Sequence, residues 1–161
     1  MKRTFCIIFL ASLISLNAFS DDSIPPWIFG NWKFIGFFYQ NQFKAPLNPN
    51  LNIIFHFESD GTDYLYWNRT GEPGFCERKG HFSISGTNYN DEVLWTNPHN
   101  AIDCSQDPDM QVGKKTSTEI ELIDGKIRLN LGLGDEPFYY IFEPIDTYPN
   151  SYAKQKNSIS P

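Results

Sequence analysis

The 161-residue sequence is poor in cysteine and in positive charge. It holds three cysteines, and no two of them stand in the CxxC spacing that a dithiol redox centre uses. Its 13 Lys and Arg are outnumbered by 19 Asp and Glu, for a net charge of −6. Such a chain lacks the cationic contacts to phosphate that drive nucleic-acid binding, so no nucleic-acid partner is expected. The same deficit argues against anionic lipid head groups. No apolar run approaches the ~20 residues a membrane-spanning helix needs, so no stable membrane insertion is expected. There is no GxSxG, no HExxH and no glycine-rich phosphate loop. With no nucleophile beside a base, the chain reads as a non-enzyme without a cofactor. His56, His81 and His99 are scattered over two strand segments and a loop. A zinc site needs three or four convergent ligands, and nothing in their spacing predicts convergence.

The N-terminus is distinctive. Lys2 and Arg3 precede an apolar run over 5–16, and Ala18-Phe19-Ser20 places small residues before Asp21. That is the layout of a secretory signal peptide spanning 1–20, cleaved near Ser20-Asp21, for a secreted or periplasmic product. Cys6 lies early in the apolar run, away from the cleavage position that lipid attachment uses. Without Lys2 and Arg3 the mature chain carries 11 basic and 19 acidic residues, a net −8. It retains Cys76 and Cys104, and two cysteines in an exported chain are expected to pair.

Beyond residue 21 the apolar residues recur at period two and are cut by turn residues, the all-β pattern. The predicted strands are 30–40, 51–58, 63–70, 75–85, 91–97, 116–123, 126–133 and 138–143. Ser59-Asp60-Gly61-Thr62 and Asp124-Gly125 are hairpin turns. The first strand is apolar on both faces, with Trp32, Phe34 and Phe38 against Ile35, Phe37 and Tyr39. Eight strands joined by turns predict an antiparallel up-and-down β-barrel over 21–146, with a β-sandwich as the alternative. The polar segment 147–161 is expected to be a disordered tail.

Gly30-x-Trp32 lets the backbone enter its strand closely and sends a large ring inward. With eight alternating strands behind an export signal, it resembles the lipocalin-like (calycin) barrels, in particular the small bacterial lipocalin-like domains, over 27–146. The strand-six to strand-seven turn is Asp124-Gly125, and no long helix follows the last strand, so the resemblance is to a minimal lipocalin-like barrel.

Strand parity nominates Trp32, Phe34, Phe55, Trp67, Trp95 and Tyr140 as inward rings. An aromatic lining suits a small apolar or amphipathic ligand. The same bulk can instead fill an eight-stranded interior. Arg78 is either an anchor for an anionic ligand group or the partner of a buried acid, unless a bulge turns it outward. Asp103, Asp107 and Asp109 offer oxygen ligands for calcium but lack EF-hand spacing and its glycine. The loop 41–50 is long enough to act as a lid. Two functions compete: an exported binder of a small ligand, or a filled barrel that meets a protein partner through the disulfide-tethered loop 98–115. A small outer-membrane barrel is a third reading, opposed by the charges on the outward faces of 116–123 and 126–133.

Overall fold

The computed structural model describes residues 23–132 and 136–149. The predicted signal peptide and most of the predicted tail therefore lie outside the described residues. Among the described residues nine strands follow one another: β1 (Gly30–Tyr39), β2 (Gln42–Lys44), β3 (Leu51–Phe57), β4 (Thr62–Arg69), β5 (Cys76–Ser85), β6 (Asn88–Thr96), β7 (Lys115–Ile123), β8 (Lys126–Asn130) and β9 (Phe138–Ile145). Each pairs antiparallel with its sequence neighbour, except that β3 returns to β1 past the short β2. β9 then pairs with β1 along its length, from Asn31 opposite Ile145 to Tyr39 opposite Phe138. The sheet closes on itself, which removes the two long edges and excludes the sandwich. The ring has the eight predicted strands. β2 is an addition, a hairpin extension of β1 through a turn at Gln40 and Asn41, both with positive φ.

The turn chemistry is what the sequence demands. Gly61 adopts φ +83°, and Asp60 accepts a hydrogen bond from the Thr62 amide at 2.8 Å. Asp124 and Gly125 both take positive φ, the two-residue turn that matches strand twist.

Two β-bulges change the predicted facing. On β1, Ile35 has no opposite number: Phe34 pairs with Phe142 and Gly36 with Ile141. The extra residue reverses the parity downstream, so Phe37 and Tyr39 share the inward side with their partners Tyr140 and Phe138, while Phe38 turns outward. On β6, Lys79 pairs with Trp95 and Gly80 with Val93, leaving Leu94 as the extra residue. Period-two alternation cannot persist through an inserted residue.

The two ends of the barrel differ. One is packed solid by Ile28, Trp32, Phe57, Phe82, Ile84, Ile120 and Ile127. Phe57 lies between Phe55 and Phe82, with ring centroids 5.3 and 5.1 Å away. A 3-10 turn, Pro26–Ile28, stoppers this end, and Trp32 donates its indole N–H to the Ile28 carbonyl at 2.7 Å. That bond satisfies the one polar atom of a buried tryptophan. At the opposite end, 3-10 helices Ile102–Gln106 and Pro108–Met110 cross beside the opening. The disulfide Cys76–Cys104 and the buried Met110 hold them.

The chain remains packed just past residue 146. Tyr148 lies against the outside of the barrel, its ring 5.6 Å from that of His56 and 6.2 Å from that of Tyr66. Residues 147–149 of the predicted tail are thus ordered beside the barrel; residues 150–161 lie outside the described residues.

Candidate functional site

The open half of the barrel contains a cavity of about 370 Å³. Its walls are Ile53 and Phe55 of β3, Leu65 and Trp67 of β4, Val93 of β6, Thr116 and Thr118 of β7, Leu129 of β8, and Tyr140 and Phe142 of β9. Leu51, Arg69, Leu131, Asp107, Asp109 and Lys114 form its rim. That volume is at the lower end of small-molecule sites.

The cavity has a charged floor. Arg78 is 3% exposed and bridges two carboxylates. Its guanidinium donates to Asp91 Oδ2 at 2.5 Å and Oδ1 at 3.3 Å, and to Asp63 Oδ2 at 3.5 Å. Tyr89 donates its hydroxyl to Asp63 Oδ2 at 2.7 Å. Three adjacent strands supply the group: Asp63 from β4, Arg78 from β5, Tyr89 and Asp91 from β6. Gly80 makes it possible, because a Cβ there would collide with Asp63 Oδ1, Asp91 Oδ1 and the Arg78 guanidinium.

Two acids share one base, so the fully ionised group carries a net charge of −1. Burial raises the Asp63 carboxyl above the ordinary range, with Arg78 and Tyr89 offsetting part of that. Burial and the neighbouring Asp63 push Asp91 up to about 6, against the pull of Arg78. Burial opposes the charge on Arg78, but the two carboxylates more than compensate and hold its proton. Two buried atoms of the group, Asp63 Oδ1 and Arg78 Nε, have no hydrogen-bond partner.

The residues nominated by parity are placed as follows. Phe55, Trp67, Arg78 and Tyr140 line the cavity. Trp32 and Phe34 point inward but belong to the solid packing, with Phe34 centred 4.8 Å from Tyr140 and 5.6 Å from Phe142. Trp95 departs from its expected inward position. The Leu94 bulge sets it opposite Lys79, on the outer side and away from the cavity. Of the two alternatives for Arg78, the structure shows the partner of buried acids; its charge is already met.

The loops also exchange roles. The segment 41–50 contributes no wall residue, and Leu47 there is 93% exposed. The loop 98–115 supplies Asp107, Asp109 and Lys114 to the rim instead. Asp107 accepts from the Asp109 amide at 2.9 Å and so caps its own 3-10 turn. Asp103 borders a separate small indentation beside Cys76. Among the described residues no three His, Cys, Asp or Glu side chains converge as metal ligands would. His56 Nδ1 lies 2.7 Å from Asn31 Oδ1, on the outer surface and apart from His81 and His99.

Sequence reasoning passed over Asp63, Tyr89 and Asp91. A signal was present: Asp63 shares parity with Leu65 and Trp67, and Asp91 with Val93. Charged residues of opposite sign at inward positions on three consecutive strands predict a buried ion cluster. A second, outer groove of about 400 Å³ lies between Ile35, Phe38, Phe43, Ile123 and Ile141 on the barrel's exterior.

No protein-family model matches the chain, and no curated protein does. Among solved structures the chain is similar to a lipocalin-like protein from Bacteroides uniformis ATCC 8492. The two are 15% identical, the match covers 74% of this chain and 99% of that one, and the TM-score is 0.49. The closed barrel is established here by its own strand pairing.

Proposed function

We propose that this chain is an exported binding protein that holds a small apolar or amphipathic molecule in the open half of its barrel. The observation that carries this is the half-filled interior. Aromatic packing stops at Phe55 and Phe142, and a cavity of about 370 Å³ opens above them. Apolar walls with a few converging polar groups are the usual make-up of a ligand site. The disulfide supports an oxidising destination for the chain. Charges on the outer face, such as Glu121 with Arg128 and Glu92 with Lys115, support a barrel standing in water. The carboxylates in the cavity are tied to Arg78, so they support a role in holding a ligand and not in turning one over.

Trp67, a wall residue, reports the test. Titration with neutral octyl compounds should shift or quench tryptophan emission, and Trp67→Phe should abolish most of that change. An unchanged spectrum with a broad panel of apolar ligands would remove the basis for a carrier.

One observation favours a second reading, contact with a protein partner through loop 98–115: Ile102 is 91% exposed and Val112 64%. Replacing both with serine should then abolish capture of the partner while leaving ligand-induced fluorescence intact.

A further inference from the structure

The floor of the cavity decides what kind of head group a ligand can bring. This inference rests on the binding role proposed above and goes beyond it. The rim is balanced: Arg69 and Lys114 stand with Asp107 and Asp109. The floor is not, because Arg78 is shared by Asp63 and Asp91. Asp91 borders the cavity directly, and Asp63 lies behind it, wholly buried. An incoming carboxylate would meet a guanidinium already taken and two acids of its own sign. An incoming ammonium would meet Asp91 at the end of an apolar shaft, where a like charge costs most and an opposite charge gains most. The unpaired oxygen of Asp63 shows that the cluster holds more acceptor capacity than its own donors fill. The Arg78 Nε–H is likewise without a partner, so the floor offers one free donor beside that free acceptor.

We propose that the cavity selects amphiphiles with a cationic amine head, seated with the ammonium against Asp91 and the alkyl chain along Leu65, Leu129 and Tyr140. Protonation of the acid pair removes the attraction. Asp91 is faced by Asp63 from β4, Arg78 from β5, Tyr89 from its own strand and Asp109 from loop 98–115. Burial and Asp63 together already bring its proton uptake near pH 6. Amine affinity is therefore expected to fall between pH 7.5 and pH 5, while a neutral alcohol of the same length is unaffected.

The test is calorimetric titration of the full mature chain with octylamine, octan-1-ol and octanoate at pH 7.5 and 5.0. At pH 7.5 octylamine should bind at least about tenfold more tightly than octanoate, a difference of about 1.4 kcal/mol. Asp91→Asn keeps the shape and cancels the net charge, and should erase most of that ratio while leaving octan-1-ol unchanged. Asp107→Asn combined with Asp109→Asn should reduce the ratio far less than Asp91→Asn does, since these acids are at the rim. Equal binding of all three probes by the wild-type protein would overturn the head-group inference and leave the pocket standing. Binding of none would overturn both. A preference lost in the rim variant and kept in Asp91→Asn would place the selectivity at the mouth and contradict the proposal.

Discussion

Replacing Asp91 with asparagine should change how stability depends on pH, and the structure sets the sign and size. Asp91 sits at an ordinary 3.8 when unfolded and is raised to about 6 in the barrel. A raised acid is held more tightly in its protonated form by the folded state. Its contribution is therefore greatest below the unfolded value and is lost as pH climbs from about 4 to about 6. Two pH units at ~1.4 kcal/mol each make that loss about 3 kcal/mol. Asp63 and Glu77 are raised by burial too and act in the same sense. The surface Asp60 is shifted the other way through the Thr62 amide. Urea unfolding at half-unit steps from pH 4 to 7.5 reads the effect directly. Wild-type stability should decline across this window by at least about 3 kcal/mol. In Asp91→Asn, Asp63 faces Arg78 alone and about 3 kcal/mol of the decline should vanish, leaving the part due to Glu77. General repulsion in an acidic chain of net charge −6 is nearly the same in both proteins and cancels in the comparison. Stability that rises from pH 4 to 7, or an identical slope in the variant, would refute the description of two acids on one base.

Other perturbations follow from the same contacts. Tyr89→Phe removes the 2.7 Å donor to Asp63, and should cost about 1.5–3 kcal/mol, the range for a hydrogen bond to a charged group; urea unfolding at pH 7 checks it. Gly80→Ala drives a methyl group into Asp63, Asp91 and Arg78, and should cost about 1–3 kcal/mol as overpacking. An unchanged midpoint would mean that the cluster yields easily. Replacing Cys76 and Cys104 together with serine frees a loop of 28-residue separation, worth about 3–4 kcal/mol on the chain-entropy description. The same change should increase amide exchange through 101–110 before it affects Trp32 and Phe82.

The sequence made much of the architecture readable. Alternation located all eight ring strands within a few residues, because each buries one face and most of the positive-φ turn positions are glycine. Closure was the preferred reading of eight strands, with the sandwich as its rival, and the β1–β9 pairing decides it. What escaped was whatever breaks period two. Ile35 and Leu94 are ordinary strand residues, and nothing in their identity marks them as inserted. Their bulges move Phe38 and Trp95 to the outside all the same. β2 was hidden because three residues, Gln42–Lys44, are too few to show alternation. The loop at the opening was misplaced for a different reason: proline content marks 41–50 as a loop but does not say which end of the barrel a loop crosses. Cys104 held the better clue, since its bond to Cys76 ties 98–115 to the mouth end of β5. For the site, looking only for aromatic rings hid the ion cluster. Arg78 was noticed alone, although Asp63 and Asp91 stood at inward positions on the flanking strands.

The central claim is that ligand enters the open half of the barrel and stops at the Arg78 floor. Intermolecular NOEs between octylamine and isotope-labelled protein test this directly. The alkyl chain should show contacts to Leu65, Leu129, Trp67 and Tyr140, with the methylene beside nitrogen nearest Val93 and Tyr89. Contacts confined to Ile35, Phe38 and Phe43 in the outer groove, or none inside the barrel at saturating ligand, would contradict it.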